Sequence, residues 1–140
     1  MSNERKEIAE KIKKNDEVLV MFAGVAPFAI AIAKNSKAKK VYSVEINREA
    51  SKYAKMNVEM NKLKNKVEVV QANVKNFARK SKKKFDVIVM PRPQLKESFL
   101  NEAFSLSKKG TRIFYYDFCR EDEKNEIIEK IKTEAKKAKK

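Results

Sequence analysis

Five short apolar runs, separated by longer stretches with helical spacing, constrain the fold of this chain more than any other feature of its sequence. Strands that are buried on both faces read as continuous apolar runs, so this pattern is typical of a parallel sheet covered by helices. Right-handed crossovers make such a sheet doubly wound, and the sequence predicts one α/β domain of this class over residues 1–140. The predicted strands are residues 17–23, 41–45, 67–71, 85–90 and 111–118, and the predicted helices are residues 2–14, 27–35, 48–61, 74–82, 95–107 and 119–140.

Three residues are expected to mark helix ends. Pro27 suits the first turn of the second helix, because its fixed φ matches the helix. The N–H that proline lacks would have no hydrogen-bond partner at that position. Asn47 is expected to cap the third helix through its side-chain oxygen. Gly110 is expected to end the helix over residues 95–107, since glycine tolerates the left-handed backbone that follows many helices.

Composition excludes several kinds of active site. The chain has no His and a single Cys, Cys119, which excludes a His general base, Ser-His-Asp and Cys-His arrangements, and a cysteine zinc site. We therefore expect no metal. No apolar run approaches the roughly 20 residues of a membrane span, and the N-terminus is too charged for a signal peptide. A cytoplasmic protein with no membrane partner is expected.

The charge balance favours a polyanionic partner. The chain carries 34 Lys and Arg against 19 Asp and Glu, which gives a net charge of +15. A sequence pI near 9.8 is typical of nucleic-acid-binding domains. Basic charge alone also suits a highly soluble surface, and lysine-rich composition also accompanies thermal adaptation.

The ends of the first two predicted strands carry the first candidate ligand residues. In an open doubly wound sheet, ligands bind beyond the carboxyl ends of the strands. Gly24 follows the first strand and is one of two glycines in the chain, which indicates a tight turn or a close approach of backbone to ligand. Glu45 ends the second strand, where an acidic residue can accept hydrogen bonds from both hydroxyls of a ribose. An ordinary turn and an exposed strand end are the alternatives.

The third and fourth strands end in further candidates. Asn73 follows the third strand, and its amide could read an adenine edge, cap the helix that begins at residue 74, or do both. Met90 ends the fourth strand and precedes Pro91-Arg92-Pro93. This rigid turn would place a cation where a substrate meets a cofactor, although it is equally consistent with a strand break and a surface arginine.

Several segments resemble one enzyme family. The loop Met21–Phe28, M-F-A-G-V-A-P-F, is similar to that family's M-F-A-G-V-G-P-F loop, and Val41–Asn47 is similar to its strand ending in an acidic residue followed by Ile-Asn. Ser2–Arg5 and Lys108–Tyr116 resemble its first segment and its fifth strand. The chain thus resembles the class I S-adenosylmethionine (SAM)-dependent methyltransferases. More narrowly, it resembles the archaeal and eukaryotic tRNA (guanine-N1)-methyltransferases that modify the guanine beside the anticodon.

The resemblance implies a fold, a cofactor, a partner and roles for particular residues. It implies a Rossmann-like methyltransferase fold whose usual last strands, like the family's N-terminal tRNA-binding domains, are missing from this chain. It implies SAM as cofactor and tRNA as partner. Glu4 matches the family's proposed general base, and Pro93 matches the last residue of its N-L-P motif, with Arg92 beside it as a partner for phosphate or the guanine edge. The implied cofactor-binding residues are Phe22, Ala23, Gly24, Val25, Ala26, Glu45, Ile46, Asn73, Val74 and Met90.

Departures from the family pattern leave alternatives open. Pro91-Arg92-Pro93 replaces N-L-P and lacks its substrate-binding Asn, Asn73 stands where Asp is usual, and Ala26 replaces the second glycine of the loop. The related transferases of wybutosine synthesis, which move an aminocarboxypropyl group, also change the N-L-P segment. The alternatives are therefore that reaction, a SAM-dependent enzyme with another substrate, or a non-catalytic RNA-binding module that retains the fold. Tyr115, Tyr116 and Phe118 could stack a flipped base or pack in the core.

Overall fold

A computed structural model describes residues 3–24, 26–90 and 99–115. Several sequence predictions lie outside these ranges. They concern the helix over residues 119–140, the aromatic residues Tyr116 and Phe118, and the candidate site residues Val25, Arg92 and Pro93.

The described residues form five strands and five helices in alternation. The helices are α1 (Asn3–Lys11), α2 (Pro27–Asn35), α3 (Arg48–Met60), α4 (Val74–Lys80) and α5 (Leu100–Ser105). The strands are β1 (Glu17–Met21), β2 (Lys40–Glu45), β3 (Val67–Gln71), β4 (Phe85–Met90) and β5 (Ser107–Tyr115).

The sheet is parallel throughout, with strand order β3-β2-β1-β4-β5. The chain first winds outward from β1 through β2 to β3, and then crosses back to place β4 on the other side of β1. The carboxyl ends of β1 and β4 therefore flank the point where the winding direction changes, which is the usual ligand position in such sheets. The predicted doubly wound α/β fold is confirmed.

Alternation along β1 divides the core between the two faces of the sheet. Val18 and Val20 pack in one cluster with apolar residues of α1, α2 and α3, whereas Leu19 and Met21 pack in a second cluster with α4 and α5. All four β1 side chains are fully buried. Because successive strand residues point to opposite faces, a strand that is apolar at every position requires this cover on both sides.

Local signals begin three of the helices as predicted. Pro27 is the first residue of α2. The Asn47 side-chain oxygen accepts the Ala50 backbone N–H at 2.9 Å, and the Asn73 oxygen accepts the Lys75 N–H at 2.8 Å. Each asparagine thereby satisfies one N–H that the first helical turn leaves without a partner.

The prediction for Gly110 is wrong. Helix α5 ends at Ser105, and Gly110 lies inside β5 with φ of 90°. Strand β5 begins at Ser107, whose buried hydroxyl donates to the Ala103 carbonyl at 2.7 Å, and this bond takes the place of a glycine cap. The pairing with β4 is irregular between Phe85 and Val87, which accommodates the extra residues at the start of β5.

Two other boundaries differ from prediction for visible reasons. Strand β1 stops at Met21, because Phe22 adopts a left-handed backbone, with φ of 53°, that no strand can continue. Helix α1 stops at Lys11 rather than at residue 14, and the Asp16 carboxylate accepts the Lys13 N–H at 2.8 Å in the turn that follows. None of the helices in the described ranges is long and apolar enough to cross a bilayer.

Candidate cofactor site

Glu45 connects two loops at the carboxyl-terminal edge of the sheet. Its Oε1 accepts the Gly24 backbone N–H at 2.9 Å, and its Oε2 accepts the Asn47 N–H at 2.8 Å. The residue is only 7% exposed, so it is not the freely solvated strand end that was the alternative. A carboxylate has about four acceptor positions, so two remain after these bonds for hydroxyl donors of a ligand. The structure thus brings together Glu45 and Gly24, two of the residues that the sequence nominated for the site.

The loop after β1 has an unusual backbone. Phe22, Gly24 and Ala26 all adopt positive φ, at 53°, 58° and 73° respectively. Backbone bonds hold this shape, since Ala23 donates to the Val44 carbonyl at 3.0 Å and Ala26 donates to the Ala23 carbonyl at 2.8 Å. A Cβ at Gly24 would meet nothing within 4 Å, so glycine is required here by its backbone angle and not by crowding. Non-glycine residues in this conformation cluster at functional sites.

A pocket of about 180 Å³ opens beside Glu45. Its walls are apolar except for Asn73, and Ile46 contributes a side chain that is 59% exposed. Apolar walls with a single amide suit a flat, weakly polar ring such as a nucleobase, because the amide fixes the orientation of the ring. The lining residues are Phe22, Val44, Ile46, Ala72, Asn73, Val74 and Phe99.

Phe99 is a wall of the pocket that sequence reasoning did not assign to the site. Its ring packs edge-to-face on Phe22 with centroids 5.0 Å apart, and the Lys75 ammonium lies 5.6 Å from its centroid. The sequence placed Phe99 inside the predicted helix over residues 95–107. In the structure it precedes α5 with φ of 57°, which turns it towards the pocket. No sequence signal marks that turn, since helical spacing continues through it.

The remaining candidates are only partly brought together. Val74 lines the pocket, and Ala23 and Ala26 are buried in the loop that borders it. Met90 is 1% exposed and packs in the apolar cluster with α4 and α5, outside the pocket lining. Glu4 lies in the first turn of α1.

A larger depression lies elsewhere on the described surface. It measures about 620 Å³ and is bounded by α3 residues, all charged or polar except Met56, and by Gln71. It contains no strand-end residue except Gln71 and lacks the apolar walls of the smaller pocket. We identify the candidate site by its position at the carboxyl ends of several strands, and not by the volume of the pocket.

A comparison of the sequence with models of protein families shows which family the chain belongs to. The model of the TRM5/TYW2 methyltransferase domain matches residues 1–140. The chain belongs to this family. The resemblance inferred from segments along the sequence is thereby confirmed over the whole chain.

Individual relatives in the TRM5/TYW2 family include both methyl and aminocarboxypropyl transferases. The chain is 34% identical over 124 residues to the Methanocaldococcus jannaschii tRNA (guanine(37)-N(1))-methyltransferase Trm5b, covering 89% of this chain and 35% of the relative. It is 33% identical over 118 residues to the tRNA(Phe) (4-demethylwyosine(37)-C(7)) aminocarboxypropyltransferase of the same organism, covering 81% of this chain and 45% of that protein. The crystal structure of M. jannaschii TYW2 in complex with AdoMet superposes with a TM-score of 0.80 at 32% identity, covering 99% of this chain and 64% of that one.

The chain thus spans about a third of the length of Trm5b, and less than half of the aminocarboxypropyl transferase. What is similar is the methyltransferase domain of these proteins.

Proposed function

We propose that this chain binds SAM at the carboxyl edge of β1, β2 and β3 and transfers its methyl group to N1 of the guanine beside the anticodon of tRNA. The observation that carries the proposal is Glu45, a buried carboxylate that orders the loop after β1 and keeps acceptor capacity beside an apolar pocket. The similarity to the Trm5b relative, which acts on guanine 37 of tRNA, supports the choice of substrate.

Different residues around the pocket would bind different parts of a nucleoside. Glu45 would accept hydrogen bonds from ribose hydroxyls. Ile46 and Phe99 offer apolar surface to the adenine ring. Asn73 uses Oδ1 to cap α4, and its Nδ2 group makes no bond to any residue in the described part of the chain. An amide donor is therefore free at the pocket, whereas the Asp usual in the family offers only acceptors.

Bound SAM supplies a methyl group on a sulfonium centre, which is a good leaving group without a metal. The protein contributes orientation of the two reactants and removal of the guanine N1 proton. We assign removal of that proton to Glu4, because this residue matches the general base proposed for the family and a carboxylate can accept a proton. Helix α1 is anchored at its other end, where Arg112 donates to the Lys11 carbonyl at 2.5 Å. Glu4 lies about 10 Å along the helix from that anchor.

Aminocarboxypropyl transfer is the second candidate. It is favoured by the almost equal similarity to the aminocarboxypropyl transferase relative and by Pro91-Arg92-Pro93, which lacks the Asn of the family's N-L-P motif. Both reactions use the same cofactor but break a different bond to sulfur. A non-catalytic module that binds RNA is the third reading and predicts no turnover of the cofactor.

Two labels on the cofactor separate the three readings. The chain is first titrated by calorimetry with S-adenosylhomocysteine. It is then incubated with unmodified tRNA, and separately with tRNA(Phe) that carries 4-demethylwyosine at position 37, the base named for the aminocarboxypropyl transferase relative. Each tRNA is supplied with SAM labelled in either the methyl or the carboxyl group. Methyl label on the tRNA with release of S-adenosylhomocysteine is expected for guanine-N1 methylation. Carboxyl label on the tRNA with release of methylthioadenosine would identify aminocarboxypropyl transfer. Cofactor binding with neither label transferred would overturn the enzymatic proposals for this chain.

The role of Glu4 has its own comparison. We expect Glu4→Gln to bind S-adenosylhomocysteine as the parent chain does and to lower methyl transfer by about 100-fold or more, the usual contribution of a general base. Glu10→Gln, which removes an exposed carboxylate from the far end of α1, is the matched control and should transfer at the parent rate. Equal rates for the two variants at saturating SAM would remove Glu4 from the mechanism.

A further inference from the structure

The edge of the sheet opposite the candidate site is rich in unpaired lysines. All five strands are parallel, so the segments that precede them meet at one edge. The segments before β1 to β4 each contribute two exposed lysines without a carboxylate partner, at 13–14, 37–39, 62–64 and 80–82, and Lys109 adds one near the start of β5. We call these nine residues the lysine rim. The described loops at the carboxyl-terminal edge, by contrast, carry no cation, and the first turns of the helices that follow β2 and β3 carry only Arg48 and Lys75.

Contacts between the segments show that they form one surface. The Lys39 N–H donates to the Asp16 carbonyl at 2.7 Å, which joins the turns before β1 and β2. The Lys66 ammonium donates to the Ala33 and Ser36 carbonyls at 2.8 and 3.2 Å, which joins the turns before β2 and β3. The Lys84 ammonium donates to the Ser105 carbonyl, which joins the turn before β4 to the end of α5.

The acidic residues at this edge are mostly neutralised by cations outside the rim. Asp16 pairs with Arg112, Glu17 pairs with Lys83, and Asp86 pairs with Lys108 at 2.8 Å. Glu59 and Glu68 lie beside Lys64 in a shallow depression and are the exceptions. No ion pair joins a rim lysine to a carboxylate in the described ranges, so most of the charge of the rim faces solvent uncompensated.

We propose that the lysine rim binds the phosphate backbone of RNA, at a surface separate from the cofactor site and on the opposite edge of the sheet. The choice of RNA as the polyanion rests on the proposed function. Five strands about 4.8 Å apart span roughly 19 Å, and a duplex presents about one phosphate per 1.7 Å of axis. The rim therefore offers a number of cations comparable to the phosphates along that length.

The chemistry of the rim indicates backbone contact without base recognition. Lysine is a flexible point charge, whereas base edges and flat bidentate contacts favour arginine. The exposed aromatic residue of the described surface is Tyr53, which lies on α3 and not in the rim. We therefore expect binding that is independent of sequence and strongly dependent on salt. Binding to an anionic membrane is disfavoured, because membrane insertion needs several exposed apolar side chains. Among the described residues, the large exposed apolar side chain nearest to the rim in sequence is Met60.

The test compares two triple variants with the same loss of charge. The rim variant is Lys39→Gln, Lys64→Gln and Lys82→Gln, and the control variant is Lys6→Gln, Arg48→Gln and Lys52→Gln on helices α1 and α3. The probe is a short blunt duplex RNA with no loop, titrated by fluorescence anisotropy between about 50 and about 200 mM salt. The parent chain should show a linear and steep decrease of log affinity with log salt.

We expect the rim variant to bind the duplex about tenfold more weakly and to have a salt slope lower by roughly two to three, or one unit or less for each lost contact. The control variant should change the affinity by less than about twofold. A second rim variant carries Lys13→Gln, Lys80→Gln and Lys109→Gln. It should bind the duplex as weakly as the first, which would show that misfolding of one variant does not cause the loss.

Three results would overturn the proposal: equal weakening by the rim and control variants, no binding of the duplex at low salt, or rim-dependent binding of phosphatidylserine vesicles by a chain that does not bind the duplex. Titration with S-adenosylhomocysteine separates this proposal from the cofactor site. The rim variants should bind that ligand as the parent does, and a parent chain that binds duplex but not the ligand would contradict the proposed function alone.

Discussion

Glu45 Oε1 accepts the backbone N–H of Gly24 at 2.9 Å, so a side chain at the end of β2 fixes the loop after β1, 21 residues earlier in the chain. The second oxygen holds Asn47 in the same way at the start of α3. The acidic residue therefore shapes the two loops that border the candidate site. Replacing it should affect both folding and ligand binding.

Glu45→Gln tests this double role. Its amide would place a donor against one of the two backbone N–H groups, leaving a buried donor unsatisfied at a cost of about 1–3 kcal/mol in the free energy of unfolding. S-adenosylhomocysteine should bind more weakly by a similar amount in calorimetry. Glu49→Gln, an exposed carboxylate in the first turn of α3, is the control and should leave both quantities unchanged. Wild-type affinity in Glu45→Gln would remove Glu45 from the ribose site.

Ile46 offers a test of the pocket without a large effect on stability. The side chain is 59% exposed, so Ile46→Asp should change the free energy of unfolding by no more than about 0.5 kcal/mol. It should nevertheless weaken S-adenosylhomocysteine binding by at least tenfold, or about 1.4 kcal/mol, because the apolar wall becomes a charge. Met60→Asp places the same change on a side chain that is 77% exposed at the other end of α3. If both variants bind the ligand equally well, the pocket does not hold the adenine.

Two opposing contributions to the free energy of unfolding meet at Ala26: the strain of its backbone and the burial of its methyl group. Its φ of 73° costs an alanine about 1–2 kcal/mol, but its methyl group is fully buried, which stabilises the fold by about 0.8 kcal/mol. Glycine would relieve the first term, lose the second and add freedom to the unfolded chain. We therefore expect Ala26→Gly to change the free energy of unfolding by less than about 1 kcal/mol in urea titrations.

Gly24→Ala is the companion variant at the same loop. The added methyl would meet nothing within 4 Å, so the backbone angle alone should lower the free energy of unfolding, by about 1–2 kcal/mol. A larger loss from Ala26→Gly than from Gly24→Ala would show that methyl burial outweighs backbone strain in this loop.

Asp86 should make the fold sensitive to acid. Burial, the largest single influence, raises the pKa of this carboxyl, but the Glu17 N–H and the Lys108 ammonium together outweigh it and hold the pKa below its usual value of 3.8. A lowered pKa in the folded state stabilises the protein above the unfolded pKa, and this contribution disappears as the pH falls through the folded value. The free energy of unfolding should therefore fall below about pH 4.

Asp86→Asn keeps the shape and an acceptor oxygen but cannot titrate. Urea unfolding at several pH values should show a shallower acid loss in this variant than in the parent. Glu7→Gln, which removes an exposed carboxylate of α1, is the control and should follow the parent curve. Parallel curves for Asp86→Asn and the parent would assign the acid sensitivity to other carboxyls.

Strand and helix positions were predictable where one local signal dominates. Strands β3 and β4 begin and end at the predicted residues, and Pro27, Asn47 and Asn73 begin helices as expected. Predictions failed where a backbone angle or a tertiary bond overrides spacing, as at Phe22, Phe99 and Gly110. The position of Phe99 in the pocket depends on a turn of the chain that apolar periodicity does not encode.

The sequence by itself determined the α/β class, the family resemblance and the choice of Gly24 and Glu45 as strand-end candidates, because apolar period, helix caps and loop motifs are local properties of a chain. Only the tertiary structure decided that both Glu45 oxygens accept backbone N–H groups and that Phe99 lines the pocket with Ile46 and Asn73. It also gathered lysines from five distant segments at one edge, opposite the candidate site. The physical reason is that parallel strands bring all their beginnings to one side and all their ends to the other, whatever separates them along the chain.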